Sequence, residues 1–96
     1  MVEVVDELLP PLTKEEVFVF KVYKSPKDGE TVLGYMEPFG VVHSDGRAVT
    51  WISTPFGVPV SKAFADVLEL AEGHGAKAVL INDPDKLFPN QARGQQ

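Results

Sequence analysis

The chain has no cysteine. That excludes disulfides, thiolate metal sites, iron–sulfur clusters and a cysteine nucleophile. No apolar run approaches 18 residues, so no membrane-spanning helix is expected. No basic segment followed by an apolar one opens the chain, so a secretory signal peptide is not expected either. Basic residues are scarce: Lys and Arg total 9 against 14 Asp and Glu, a formal net charge of −5. Nucleic-acid binding draws most of its affinity from Lys and Arg at phosphates. Here only Lys21, Lys24 and Lys27 approach a patch, and Asp28 and Glu30 dilute it. No nucleic-acid partner is expected, and no membrane partner. The excess acid is local, with Glu3, Asp6, Glu7, Glu15 and Glu16 set against Lys14 in the first sixteen residues. Repeats, low-complexity tracts, G-x-G-x-x-G and G-x-x-x-x-G-K are all missing, so no phosphate-binding loop is indicated.

What is present fits one small domain. Ninety-six residues with 44% hydrophobic and 24% charged content match globular averages. Size scaling gives roughly 5,400 Å² of folded surface against about 15,000 Å² unfolded, enough for a single core. The expected layout is an N-terminal helical docking segment (1–12), an α+β core (13–89) and a flexible tail (90–96). A soluble, cytoplasmic protein is the expectation.

Val5, Leu8, Leu9 and Leu12 recur at helical spacing, with Glu3, Asp6 and Glu7 opposite them, so a short amphipathic helix is expected over 2–9. Pro10-Pro11 stops it. A helix that short is marginal alone and has to dock, on its own sheet or on a partner. Val17 to Tyr23 is β-branched or aromatic nearly throughout, which predicts a strand over about 16–24. Its continuous apolar run at 17–20 places it centrally, buried on both faces. Ser25 to Glu30 is a turn, and a second strand spans about 31–36.

Asp45-Gly46 is the dipeptide favoured in a two-residue hairpin turn. It sets Val42 against Val49, Val41 against Thr50 and Gly40 against Trp51. Trp51 then covers a cross-strand glycine, a known compensation for the missing side chain. Both faces of this hairpin are apolar: Val42, Val49 and Trp51 on one, and Phe39, Val41, His43, Ala48, Thr50 and Ile52 on the other. Either helices cover both faces, or one of them meets a partner.

Pro55 to Pro59 reads as a loop. Val60, Ala63, Phe64, Val67, Leu68 and Ala71 form the apolar stripe of the main helix, about 60–72, ended by Gly73 and Gly75. A short buried strand follows over 76–81. Strand 47–53, the helix and strand 77–82 can form a β-α-β unit with a parallel pair. The order α-β-β-β-β-α-β describes an α+β domain with a mixed, mostly antiparallel sheet of about five strands. From Ser44 to Pro84 the run of Asp45-Gly46 hairpin, Ser53-Thr54 segment, helix and apolar strand ending near Asn82 and Pro84 resembles the N-terminal domain of SseB-like proteins. No functional residue is carried over from that likeness.

Chemistry-bearing residues are few. His43, Ser44 and Asp45 cluster at the hairpin tip, and His74 is the second histidine. Histidine suits both metal ligation and acid–base work near neutrality. Successive strand residues point to opposite faces, however, so His43 and Ser44 cannot share a site. Asp45 has a structural task in the turn, and His74 suits the negative end of the helix dipole. Asn82-Asp83-Pro84-Asp85 lacks the calcium-loop pattern and fits an Asx turn better. If the last strand is parallel to its neighbour, a small ligand is expected near Ser53-Thr54, Asn82 and Asp83 at its carboxyl end. No cofactor and no metal is assigned, catalytic residues remain unassigned, and the nature of any small ligand is open.

The expected function is a non-enzymatic protein-interaction or regulatory domain that self-associates as a symmetric dimer. Its candidate interface is Val5, Leu8, Leu9, Phe39, Val41 and Trp51. The alternative is a small enzyme or metal-binding domain using His43 or His74 with Asp45, Asn82 or Asp83.

Overall fold

A computed structural model describes residues 2–7, 10, 12, 16–42, 46 and 49–88. Leu8, Leu9, His43, Ser44, Asp45 and the tail 90–96 lie outside the described residues. The element order is β1 (Glu3–Val5), β2 (Val17–Lys24), β3 (Val32–Met36), β4 (Phe39–Val42), β5 (Val49–Ile52), β6 (Val58–Pro59), α1 (Val60–Gly73) and β7 (Ala78–Asn82). Five strands form one mixed sheet in the order β1-β7-β2-β3-β6, and β4 and β5 form a separate two-stranded ribbon. The architecture is α+β, and antiparallel pairings outnumber parallel ones. No helix among the described residues is long and apolar enough to cross a membrane.

β2 is the middle strand, as its apolar run requires. Val17 and Ala78, paired across β2 and β7, are buried on one face. Phe18, Phe20 and Val22 are buried on the other, beneath α1. There the rings of Phe20, Phe64 and Phe88 stand 5.0–5.9 Å apart in tilted and edge-on pairs, a geometry that suits their quadrupoles. Gly34, next to Phe20 on β3, is the gap into which that ring fits. A β-carbon at Gly34 would sit 2.8 Å from Phe20 Cε1 and closer still to Cζ. α1 ends in a Schellman motif. Gly75 takes a left-handed φ of 73°, its N–H donates to the Glu72 carbonyl, and the Ala76 N–H donates to that of Ala71.

Three expectations need correction. Residues 3–5 form a strand, not part of a helix: β1 lies parallel to β7, with Val4 opposite Val79. Val2 and Val4 pack on the core while Glu3 is exposed, a period of two. For so short a segment, a ladder on a waiting sheet edge outweighs a helix with a costly nucleus. The stretch 55–59 is not wholly loop, since Val58 and Pro59 pair with β3. Proline is tolerated there because β6 is an edge strand. The parallel crossover through α1 starts from β6, not β5. β7 finds its parallel partners in β1 and β2, while β5, among the described residues, pairs with β4.

The turn after β2 is locked by Asp28. Its Oδ1 accepts the Glu30 and Thr31 N–H groups at 2.8 and 3.0 Å, and its Oδ2 accepts the Thr31 hydroxyl at 2.6 Å. Chiefly through that hydroxyl, and then the Glu30 N–H, the Asp28 carboxyl is lowered from 3.8 to about 2.

Gly34→Ala should therefore destabilise the fold by about 1–3 kcal/mol through overpacking against Phe20, read as a lower urea midpoint with an unchanged slope. A carboxyl-carbon NMR titration should place Asp28 at about 2. Thr31→Val should move it up toward the ordinary range. Because the folded-state value is depressed, the turn's contribution is complete above 3.8 and is lost as pH falls through about 2.

Candidate functional site

The β4–β5 ribbon keeps the register set by its turn: Phe39 opposite Ile52, Gly40 opposite Trp51, Val41 opposite Thr50 and Val42 opposite Val49. Gly46 has the positive φ, 73°, that such a turn demands of its glycine. The inner face belongs to the protein's own core. The Phe39 ring centroid is 4.7 Å from that of Phe18, and Ile52 packs on the same cluster. The outer face does not. Trp51 is 68% exposed and Val49 49%. The Trp51 ring lies over Gly40, where a β-carbon would meet its Cζ3 and Cη2 at 3.2 and 3.3 Å.

Beside the ribbon runs a cleft of about 950 Å³, the size of a ligand or peptide site. Phe18, Pro38, Phe39, Val41, Val49 and Trp51 make its apolar lining. Glu16, His74 and Lys77 supply the polar groups on the opposite side. The Lys77 ammonium holds the Glu16 carboxylate at 2.8 Å, and the Lys77 N–H donates to the Glu16 carbonyl at 2.8 Å. His74 is exposed at the C-cap of α1, its ring centroid 6.3 Å from that of Phe18. An apolar trough with one imidazole and one ion pair suits binding by burial better than proton transfer.

A second concavity, about 580 Å³, opens at the carboxyl ends of the parallel strands β1 and β7. Asp6, Glu7, Asn82, Asp83 and Lys86 line it, together with Val19 and Leu80. The sequence placed a ligand location here, conditional on a parallel last strand, and that condition is met. Ser53 and Thr54 are not part of its lining, and Thr54 is buried with its hydroxyl accepting the Met36 N–H at 2.8 Å. Asp83 works structurally: Oδ1 accepts the Leu87 N–H at 2.9 Å and Oδ2 the Phe88 N–H at 2.8 Å. These bonds reach four and five residues on, so Asp83 closes a wider loop than the Asx turn expected of Asn82 to Asp85, and it hands Phe88 to the core.

The candidate residues therefore separate. His74 precedes β7, whereas Asn82 and Asp83 close it, so a five-residue strand of about 16 Å lies between them. No group of three His, Asp or Glu suited to a metal occurs among the described residues. Of the interface candidates, Val5 is half-buried in β1 opposite Leu80, and Val41 is half-buried in the ribbon. Phe39, expected at a partner interface, spends its ring on Phe18. Trp51 alone of the described candidates stands well out.

Sequence reasoning left Val49 and Phe56 out of the interface. Val49 was within reach, because the hairpin register already put it beside Trp51. Phe56 is 72% exposed, its ring centroid 4.5 Å from that of Tyr35, in a segment without periodicity to mark it.

No protein-family model matches this chain, and neither a curated protein nor a solved structure does. The likeness of residues 44–84 to SseB-like domains accordingly carries no family assignment.

Asp83→Ala should remove both acceptors and cost about 1–3 kcal/mol. Thermal unfolding reads the loss, and faster hydrogen exchange at Leu87 and Phe88 locates it.

Proposed function

We propose that this chain is a small non-enzymatic interaction or regulatory domain that binds protein, itself included, through the outer face of the β4–β5 ribbon and the cleft beside it. One observation carries the reading. The inner face of the ribbon packs into the core through Phe39 and Ile52, while Trp51 and Val49 stay 68% and 49% exposed on the outer face. Tryptophan is a frequent anchor of protein interfaces because it buries a large area at little entropic cost. Here it borders an apolar trough into which a partner side chain can be pressed. Fourteen acidic against nine basic residues favour a protein over a nucleic-acid partner.

No specific observation favours the alternative of an enzyme or metal-binding domain. His43 and Asp45 lie outside the described residues, and His74 is separated from Asn82 and Asp83 by the length of β7.

Removing residues 1–12 is not a clean test, because β1 is part of the protein's own sheet. Trp51→Ser is cleaner. In cross-linked capture from native lysate, the wild-type chain should retain a partner, or a second copy of itself, that the variant largely loses. The variant should melt only a few degrees lower, since the indole is exposed yet lies over Gly40, and its circular dichroism should match that of the wild type. An identical capture profile for the two chains, or no partner retained by the wild type, overturns the reading.

A further inference from the structure

The cavity of about 580 Å³ at the carboxyl ends of β1 and β7 shares no lining residue with the cleft beside the ribbon. β1 and β2 both run parallel to β7, one on each side of it. From the neighbouring strands β1 and β7 the chain departs toward opposite faces of the sheet. Past β1, Asp6 and Glu7 share the cavity with Val19 and Leu80. Those two alternate with Phe18, Phe20, Val79 and Ile81 of the core, which puts them on the face away from α1. Past β7, Phe88 is buried against Phe20 and Phe64 on the α1 face. Adjacent parallel strands whose connections part in this way leave a crevice outside their carboxyl ends. That crevice is where open α/β sheets bind small molecules.

The two departures bring charges of both signs to this crevice. Glu7 enters from the β1 side and Lys86 from the β7 side. Both side chains are exposed, and among the described residues neither is engaged in a hydrogen bond or an ion pair. They line one cavity and yet do not pair with each other. Asp83 differs, since its carboxylate is taken up by the Leu87 and Phe88 N–H groups. Lys86 has a φ of 54°, the one non-glycine among the described residues in the left-handed region, where glycine would cost less. Val19 and Leu80 make part of the lining apolar, and Asn82 adds an amide that can donate and accept.

We propose that this crevice binds a free α-amino acid with an apolar side chain. Its ammonium group meets Glu7, its carboxylate meets Lys86, and its hydrocarbon lies on Val19 and Leu80. A zwitterion answers one unengaged charge of each sign. A simple amine would leave Lys86 unanswered and bring a like charge toward it, and a simple acid would do the same to Glu7. Exposed charges contribute little each because water screens them. The complex is therefore weak, with a dissociation constant on the order of a millimolar.

Amide NMR titrations of the full-length chain test this with three probes of one hydrocarbon skeleton: leucine, isopentylamine and 4-methylpentanoate. Each is added to about 20 mM at fixed pH and ionic strength. Leucine should give saturable shifts at the amides of Glu7, Asn82, Asp83 and Lys86. The two singly charged probes should bind about tenfold more weakly. Glu7→Gln should weaken leucine about tenfold and leave 4-methylpentanoate no weaker, while Lys86→Gln should weaken leucine similarly and leave isopentylamine no weaker. Unshifted amides elsewhere report that each variant keeps its fold. If leucine causes no saturable shift at these amides, the site is overturned. Isopentylamine binding as tightly as leucine overturns the zwitterion and makes the crevice a plain cation site. Leucine binding that neither variant weakens overturns the roles of both charges. The ribbon takes no part in any of these outcomes, so the interaction reading stands or falls separately.

Discussion

The ladder between β2 and β7 joins Val17 to Ala78 and Lys21 to Asn82, segments that only the folded chain brings together. Closing so long a loop costs entropy that local contacts cannot return. The return comes from what the ladder aligns. Phe18 and Phe20 fall beside Val79 and Ile81 on one face, α1 is laid across them, and Asp83 turns the chain so that Phe88 fills the remaining side. β1 then has an edge of β7 to join, and β3 an edge of β2. Gly34 belongs to this arrangement as the space that Phe20 takes.

The ribbon's two faces follow from the same core. Phe39 and Ile52 lean on it beside α1, which obliges Gly40, Val49 and Trp51 to face outward. A two-stranded ribbon is marginal by itself, and contact with Phe18 holds this one against the body. The cleft lies between β4 and the turn from α1 into β7. The proposed binding surface and the face packed on the core are thus opposite sides of one short ribbon, and a change that loosens Phe39 disturbs both.

Much of this was legible in residue order. Asp45-Gly46 set a register that the pairings reproduce, the stripe from Val60 to Ala71 is α1, and the run at 17–20 is the middle strand. The errors have a common source. Val2 to Leu12 supports a helical spacing and a two-residue alternation at once, and the vacant side of β7 decides between them. Val58-Pro59 has no strand signature beyond its neighbour β3. Trp51 was legible as a candidate from its place opposite Gly40, whereas Phe39 looked equivalent until Phe18 was seen beneath it.

Local chemistry settled the class of fold, the hairpin register, the helix with its glycine stop, and the absence of cysteine chemistry. These depend on φ preferences, side-chain alternation and composition, which act within a few residues. Distant contacts settled the rest: which strands run parallel, where the α1 crossover starts, that His74 and Asp83 stand at opposite ends of β7, and which apolar face of the ribbon is spent on the core. Burial is a property of what arrives from elsewhere in the chain. The spacing of Phe39 and Trp51 could mark both as apolar strand residues, and only packing could cover one and leave the other exposed.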